Sequence, residues 1–315
     1  MEVYLKFSKD ALSAEEQLNL LISRGLLIED YQSALEIIKR IGYYHLSAYM
    51  RLFQLDSEHR FAQNTEFMDI INLYKFDTEL RHITFNAIEK IEIAYRAAIS
   101  NIMCKIYGSN WFENQNAFLN ETQKEIVIQI IKDEIKKKNK KENEYAETFI
   151  SKYYEKYSEP QLPPFWMTAE TFSLGSLNRV LFSLKFQYKK QIAEYLGFKA
   201  DAKFIANSKW LQAICVIRNI CAHHSRLFNR ILRIRPKKHN GISEFNDATT
   251  DKYYYIAIII DYYLKTILKD DSFETQIINL FNKYPQINKA LLGFPKDWEN
   301  FSITYIFHKK IRQPN

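Results

Sequence analysis

The sequence predicts an all-α protein, a multi-helix bundle, on three observations. Gly and Pro are scarce, 7 of each in 315 residues, which favours long regular elements over tight turns. Apolar residues recur at helical spacing behind recognisable caps. No alternating run long enough for a strand is visible, and no internal repeat.

The elements follow in order. Ser13-Ala-Glu-Glu16 has the form of a capping box, with Leu18, Leu21 and Ile22 at helical spacing behind it and Gly25 as a stop. Asp30 caps a second helix carrying Ala34, Leu35, Ile38 and Ile41, closed by Gly42. Nothing basic lines the start of that second helix, so a plain helical hairpin is preferred over a DNA-reading helix-turn-helix. Residues 66–107 read as one or two long helices, apolar on more than one face and therefore central. Residues 132–147, KDEIKKKNKKENEYAE, are lysine-rich and nearly free of apolar residues. A solvated helix end or mobile insertion is the preferred reading, and a basic arm for phosphate backbone the alternative. Pro160, Pro163 and Pro164 mark an extended entry into a further helical stretch. Helices are then expected over about 201–232, 251–268 and 273–283. The division expected is an N-terminal helical region, 1–60, and a helical domain, 61–315, with the lysine-rich insertion near 132–160.

The balance of 44 Lys and Arg against 37 Asp and Glu gives a net charge of +7, which favours an anionic partner such as nucleic acid. Cys104, Cys215 and Cys221 form no CxxC pair, so neither a zinc site nor a disulfide framework is expected, and a reducing cytoplasm fits. The N-terminus carries no apolar signal core, and the apolar run Tyr255–Ile260 is too short to cross a bilayer. His59, His82, His239 and His308 lack ligand partners at metal-site spacing, so no metal or other cofactor is expected.

The chemistry concentrates in IRNICAHHSRLFNRI, residues 217–231. On a continuous helix, Ile217, Ile220, Cys221, Phe228 and Ile231 form a core stripe with His224 in its middle. Asn219, His223, Arg226 and Arg230 fall within a narrow arc on the other side, with Arg218 about a quarter turn from Asn219. An imidazole can move a proton near neutral pH, and guanidinium groups grip phosphate oxygens. No carboxylate lies on this arc to hold a metal. The set fits metal-independent cleavage of RNA by its own 2′-hydroxyl. Arg218 and His223 diverge by about 140°, so a composite site on a dimer is expected.

Arg218-Asn219-Ile-Cys-Ala-His223 matches the Arg-x4-6-His motif of the HEPN superfamily. Taken with YQSALEIIKRIGYYHLSAY, LYKFDTELRHITFNAIEKIEIAYRAAI, PPFWMTAETFSLGSLNRVL and LLGFPKDW, the chain resembles Abi-family abortive-infection proteins of the AbiD/AbiF type. The resemblance implies a HEPN-like helical core, ribonuclease activity in bacterial antiphage defence, a homodimer and an associated small noncoding RNA. In family terms Arg218 and His223 are catalytic and Asn219 is their polar companion. Basic segments 132–141 and 230–238 become candidate RNA contacts. The residues expected to guide RNA are Arg226, Arg230, Arg233, Lys237 and Lys238, with Lys136, Lys137 and Lys138 from the lysine-rich tract. A non-catalytic RNA-binding protein of the same fold is the second reading, and a dimerisation module whose partner carries the activity is the third.

Elsewhere, Glu89, Glu92 and Arg96 share a helical face and are expected to form an ion-pair network, with support of the active helix as the alternative. Trp166 with Glu170 is expected to be a packing anchor. The Tyr253–Tyr255 and Tyr262-Tyr263 groups sit at helical spacing and are expected in the core or at an interface, with base stacking as the alternative.

Overall fold

A computed structural model of the chain describes residues 10–138, 148–296 and 298. Thirteen α-helices and no named strand occur among the described residues. The all-α expectation therefore holds. The chain divides into two compact units, and the division falls inside one helix, between Leu80 and Arg81. The first unit runs through Leu80 and includes Asn282–Ile287. The second comprises Arg81–Phe281 and the chain from Asn288 onward.

The first unit holds α1 (Ala14–Ser23), α2 (Tyr31–Ile41), α3 (Tyr43–Met50) and the start of α4 (Phe67–Tyr107). The caps read from sequence are present. The Ser13 hydroxyl accepts from the Glu16 amide while the Glu16 carboxylate accepts from the Ser13 amide. Asp30 accepts from the Ser33 amide. Gly42 joins α2 to α3 with φ near 89°, a conformation open to glycine and strained for other residues. Leu18, Leu21, Ile38, Leu46, Ile70 and Phe76 are buried. The buried Tyr49 hydroxyl donates to Asp77 at 2.8 Å, and the Tyr284 hydroxyl donates to Glu79 at 2.7 Å.

The second unit takes the rest of α4, a single helix of 41 residues, and adds α5 (Glu121–Lys138), α6 (Thr148–Lys156), α7 (Phe165–Thr168) and α8 (Leu174–Ser183). It continues through α9 (Phe186–Tyr195), α10 (Ala202–Ile205), α11 (Trp210–Ala222), α12 (Tyr253–Leu268) and α13 (Ser272–Lys283). α8 packs on α5 and on α11, and α11 packs on α12. Tyr253, Tyr254, Tyr255, Tyr262 and Tyr263 are buried on α12, in the core as expected. Tyr95 of α4 stacks on Tyr263 and donates to its hydroxyl at 3.2 Å.

One expected element is overturned. The helix read over about 201–232 is two helices followed by irregular chain. The first interruption is at Ala206–Lys209, where Lys209 adopts φ 60° and the Ser208 hydroxyl accepts the Trp210 amide. The second is at Ala222, where α11 stops. The His224 amide donates to the Cys221 carbonyl and the Ser225 amide to the Ile220 carbonyl. This is a Schellman stop, with His224 in the left-handed position that glycine usually takes. Beyond the stop, Leu227, Phe228 and Leu232 turn into the core. Burial of those side chains outweighs the local periodicity that would have continued the helix.

Candidate functional site

The stop of α11 redistributes the predicted arc. Arg226 and Arg230 lie beyond the helix, so no helical phase aligns them with Asn219 and His223. His224 is exposed, not in the core stripe, and Ile231 is 65 % exposed, so it too leaves that stripe. Ile217, Ile220, Cys221 and Phe228 are buried as expected.

His223 is the C-cap of α11, with φ −91° and ψ 13°, and its amide donates to the Asn219 carbonyl at 3.0 Å. Both side chains are exposed. Among the described residues, no hydrogen bond or ion pair engages either side chain. Asn219 and His223 therefore sit four residues apart on one solvent-facing edge.

Arg218 lies in different surroundings. Its side chain is only 27 % exposed, with Nε 3.7 Å from Glu92 Oε2 and the guanidinium carbon 5.6 Å from the centre of the Phe85 ring. A guanidinium over an aromatic face is held by cation–π attraction as well as by charge. Glu92 in turn pairs with Arg96 at 3.3 Å, and Arg96 reaches Glu170 at 3.3 Å and the Phe172 carbonyl at 3.1 Å. Of the ion-pair network expected of Glu89, Glu92 and Arg96, the Glu92–Arg96 part is present and extends to Arg218 on α11, so network and support of the motif helix are one arrangement. Glu89 joins no ion pair among the described residues and acts on Glu92 only as a like charge. Trp166 departs from its expected role, being 51 % exposed. Its neighbour Glu170 acts through Arg96.

Burial pushes the Glu92 carboxyl above its ordinary range. Arg218 and then Arg96 pull it back, Glu89 pushes it further up, and the Leu174 amide favours the ionised form, with a net rise. Nearby Cys215 donates to the Leu174 carbonyl, and burial pushes its thiol up to about 12. It stays protonated and is no nucleophile at neutral pH. Among the described residues no group of three potential metal ligands converges. His308 lies outside the described residues.

The basic tract after the motif is an extended strap. Leu232 and Pro236 are buried and Ile234 half-buried, while Arg233, Arg235 and Lys237 point outward between them. The strap is pinned where the Leu232 amide donates to the Asp251 carbonyl at 2.8 Å, the Lys237 amide to the Ser208 carbonyl, and the Trp210 indole to the Lys237 carbonyl at 2.7 Å. Arg230 is exposed and donates to the Arg226 carbonyl, and Lys238 donates to Asn246. Arg235, absent from the sequence-derived set, lies 3.9 Å from Asp251. In the other basic tract, Lys136 and Lys137 are exposed on the last turns of α5, and Lys137 pairs with Glu134 at 3.2 Å. The Lys138 side chain and residues 139–147 lie outside the described residues. In the described stretch the helix end is solvated at Lys132, Asp133, Lys136 and Lys137, while Ile135 and Glu134 are buried, Glu134 accepting from the Ser176 hydroxyl.

Phe85 and Glu170 carry no mark in the sequence that ties them to the motif. Glu92 is marked only as a partner of Arg96, four residues further along one helical face.

A model of the Abi-like protein family matches residues 36–229, more than half of the chain. The chain belongs to the Abi-like protein family. The match on this Abi-like protein encloses Phe85, Glu92, Arg218, Asn219 and His223, and it ends before the outward basic residues of the strap. Searches of curated proteins and of solved structures returned no match. No described helix of this Abi-like protein is long and apolar enough to cross a membrane.

Proposed function

We propose that this Abi-like protein is a metal-independent endoribonuclease of the HEPN type, of the AbiD/AbiF kind, acting in abortive-infection defence against phage. The observation that carries the reading is the pairing of a fixed guanidinium with an open imidazole. Arg218 is held by Glu92 and Phe85, and His223 stands five residues later at an exposed helix end. Arg218 grips a phosphate oxygen and stabilises charge that develops on it. His223 takes the proton of the substrate 2′-hydroxyl, whose oxygen attacks the adjacent phosphorus. The bond from phosphorus to the 5′-oxygen breaks, and that oxygen takes a proton from an acid. The products are a 2′,3′-cyclic phosphate and a 5′-hydroxyl end.

One copy offers one imidazole facing solvent and one guanidinium facing inward. A second copy supplies the acid, its own His223, from the other side of the phosphate, so the working form is a homodimer. Asn219 orients the imidazole or the phosphate. Arg226, Arg230, Arg233, Lys237 and Lys238 guide the RNA backbone, with Lys136, Lys137 and Lys138 as a second contact. A small noncoding RNA is a partner as well as substrate RNA.

The test is incubation of labelled RNA with the protein in chelator, beside His223→Ala and Arg218→Ala. Cleavage by the wild type to cyclic-phosphate ends, lost in both variants, is expected. Cleavage that survives in both variants sinks the site, and a 3′-hydroxyl product sinks the mechanism. The inward engagement of Arg218 favours one competing reading, a non-catalytic RNA-binding protein whose motif is structural. Tight RNA binding without cleavage by the wild type selects it.

A further inference from the structure

A cleft of about 630 Å³ opens at the other end of the motif helix, around Trp210–Gln212, where α11 begins. Its size is within the range of small-ligand sites, roughly 300–1,000 Å³. Arg179, Lys189 and Lys209 contribute to its wall, and no carboxylate is among its described lining residues. Lys189 is half-buried, with its ammonium donating to the Phe182 carbonyl at 3.0 Å and lying 5.0 Å from the centre of the Phe182 ring. Burial lowers its pKa with no acid to offset the effect. Phe182 is 63 % exposed, a large ring left in water at the cleft wall. The Trp210 amide donates to the Ser208 hydroxyl, and the N-cap of α11, Lys209, provides no side-chain acceptor, so the Leu211 and Gln212 amides are left for an incoming acceptor.

We propose that this cleft binds a nucleotide, with its phosphate on Lys189, Lys209 and the first turn of α11 and its base stacked on Phe182. The inference goes beyond the ribonuclease reading and does not rest on it. Three cations with no acid select an anion. The exposed ring beside them selects one that carries a flat apolar face, since base stacking on an aromatic side chain is sequence-tolerant. The same chemistry is offered by a free nucleoside monophosphate and by the phosphorylated end of an RNA. Gln212 and His223 are eleven residues apart on one helix and its cap, roughly 16 Å along the axis, so the cleft is distinct from the motif.

Calorimetric titration of the full chain with AMP and with inorganic phosphate tests the site. Short oligoribonucleotides with a 5′-phosphate or a 5′-hydroxyl are titrated in parallel into the His223→Ala protein. Lys189→Gln and Gln212→Asp are each expected to weaken nucleotide binding by about tenfold. Gln212→Asp adds an acid to the first turn of α11, where the helix dipole favours it, so it keeps the fold while repelling phosphate. Phe182→Ala is expected to weaken AMP and leave inorganic phosphate unchanged. AMP bound at least as tightly as the phosphorylated oligonucleotide assigns the cleft to free nucleotide. The phosphorylated oligonucleotide bound more tightly than both AMP and its 5′-hydroxyl form assigns it to an RNA end. If neither AMP nor the phosphorylated oligonucleotide binds, or if binding is unchanged in all three variants, the proposal is overturned.

Discussion

Arg218 and His223 are five residues apart and live in contrasting surroundings. The arginine is built in: Glu92 and Phe85 of α4 fix its head, and Arg96 and Glu170 brace Glu92 from behind. The histidine is left open at the end of α11, held through its backbone alone. A charged group used as a clamp gains from rigidity, because its orientation is set before a phosphate arrives. A proton-transfer group needs access to the reacting hydroxyl. Under the proposed ribonuclease reading, the two halves of the motif differ as those two tasks differ.

Breaking the built-in half should have the largest effect. Arg218→Ala is expected to lower RNA cleavage by about 100- to 1,000-fold and also to destabilise the fold by about 1–3 kcal/mol, because Glu92 loses a partner in a buried position. Rate assays and chemical denaturation check the two parts. His223→Ala should lower cleavage by at least about 100-fold with stability changed by less than about 0.5 kcal/mol. A large stability loss there would refute the open half of the comparison.

Glu92→Gln sharpens it further. Cleavage should fall by about tenfold through a misplaced Arg218, and the pH dependence of stability should change. The Glu92 carboxyl titrates above 4.5 in the folded chain, so the folded state keeps a proton that the unfolded chain has lost. Stability therefore falls as pH rises through the window just above 4.5, and Glu92→Gln should remove that fall in melting curves taken across it. The smallest effect is at the stop itself. His224→Gly should stabilise the protein by about 1 kcal/mol by relieving the left-handed backbone and leave cleavage intact. Destabilisation would restore His224 to a core role.

The helical fold was legible in the sequence because its signals are local. Ser13 with Glu16, Asp30, Gly42 and the long apolar pattern of α4 each depend on neighbours a few residues away. The motif residues were legible too, as residue types at a spacing. Their surroundings were not. The end of α11 carries no Gly or Pro, and only the burial of Leu227, Phe228 and Leu232 reveals why the chain turns there. Asn207-Ser208 did offer a turn signal for the earlier interruption. The hold of Phe85 and Glu92 on Arg218 spans more than 100 residues of chain, and helical periodicity has no reach over that distance.

The stop at Ala222 also bears on how such a motif tolerates change in length. Inside a continuous helix, one inserted residue swings every later side chain by about 100°. Where the chain leaves the helix directly after the histidine, an added or lost residue can be absorbed by ending the helix a position later or earlier. A histidine on the cap stays at the rim of the helix through such an event, while Arg218 keeps its niche. A variable four-to-six-residue gap is what an element anchored at one end and released at the other can accommodate.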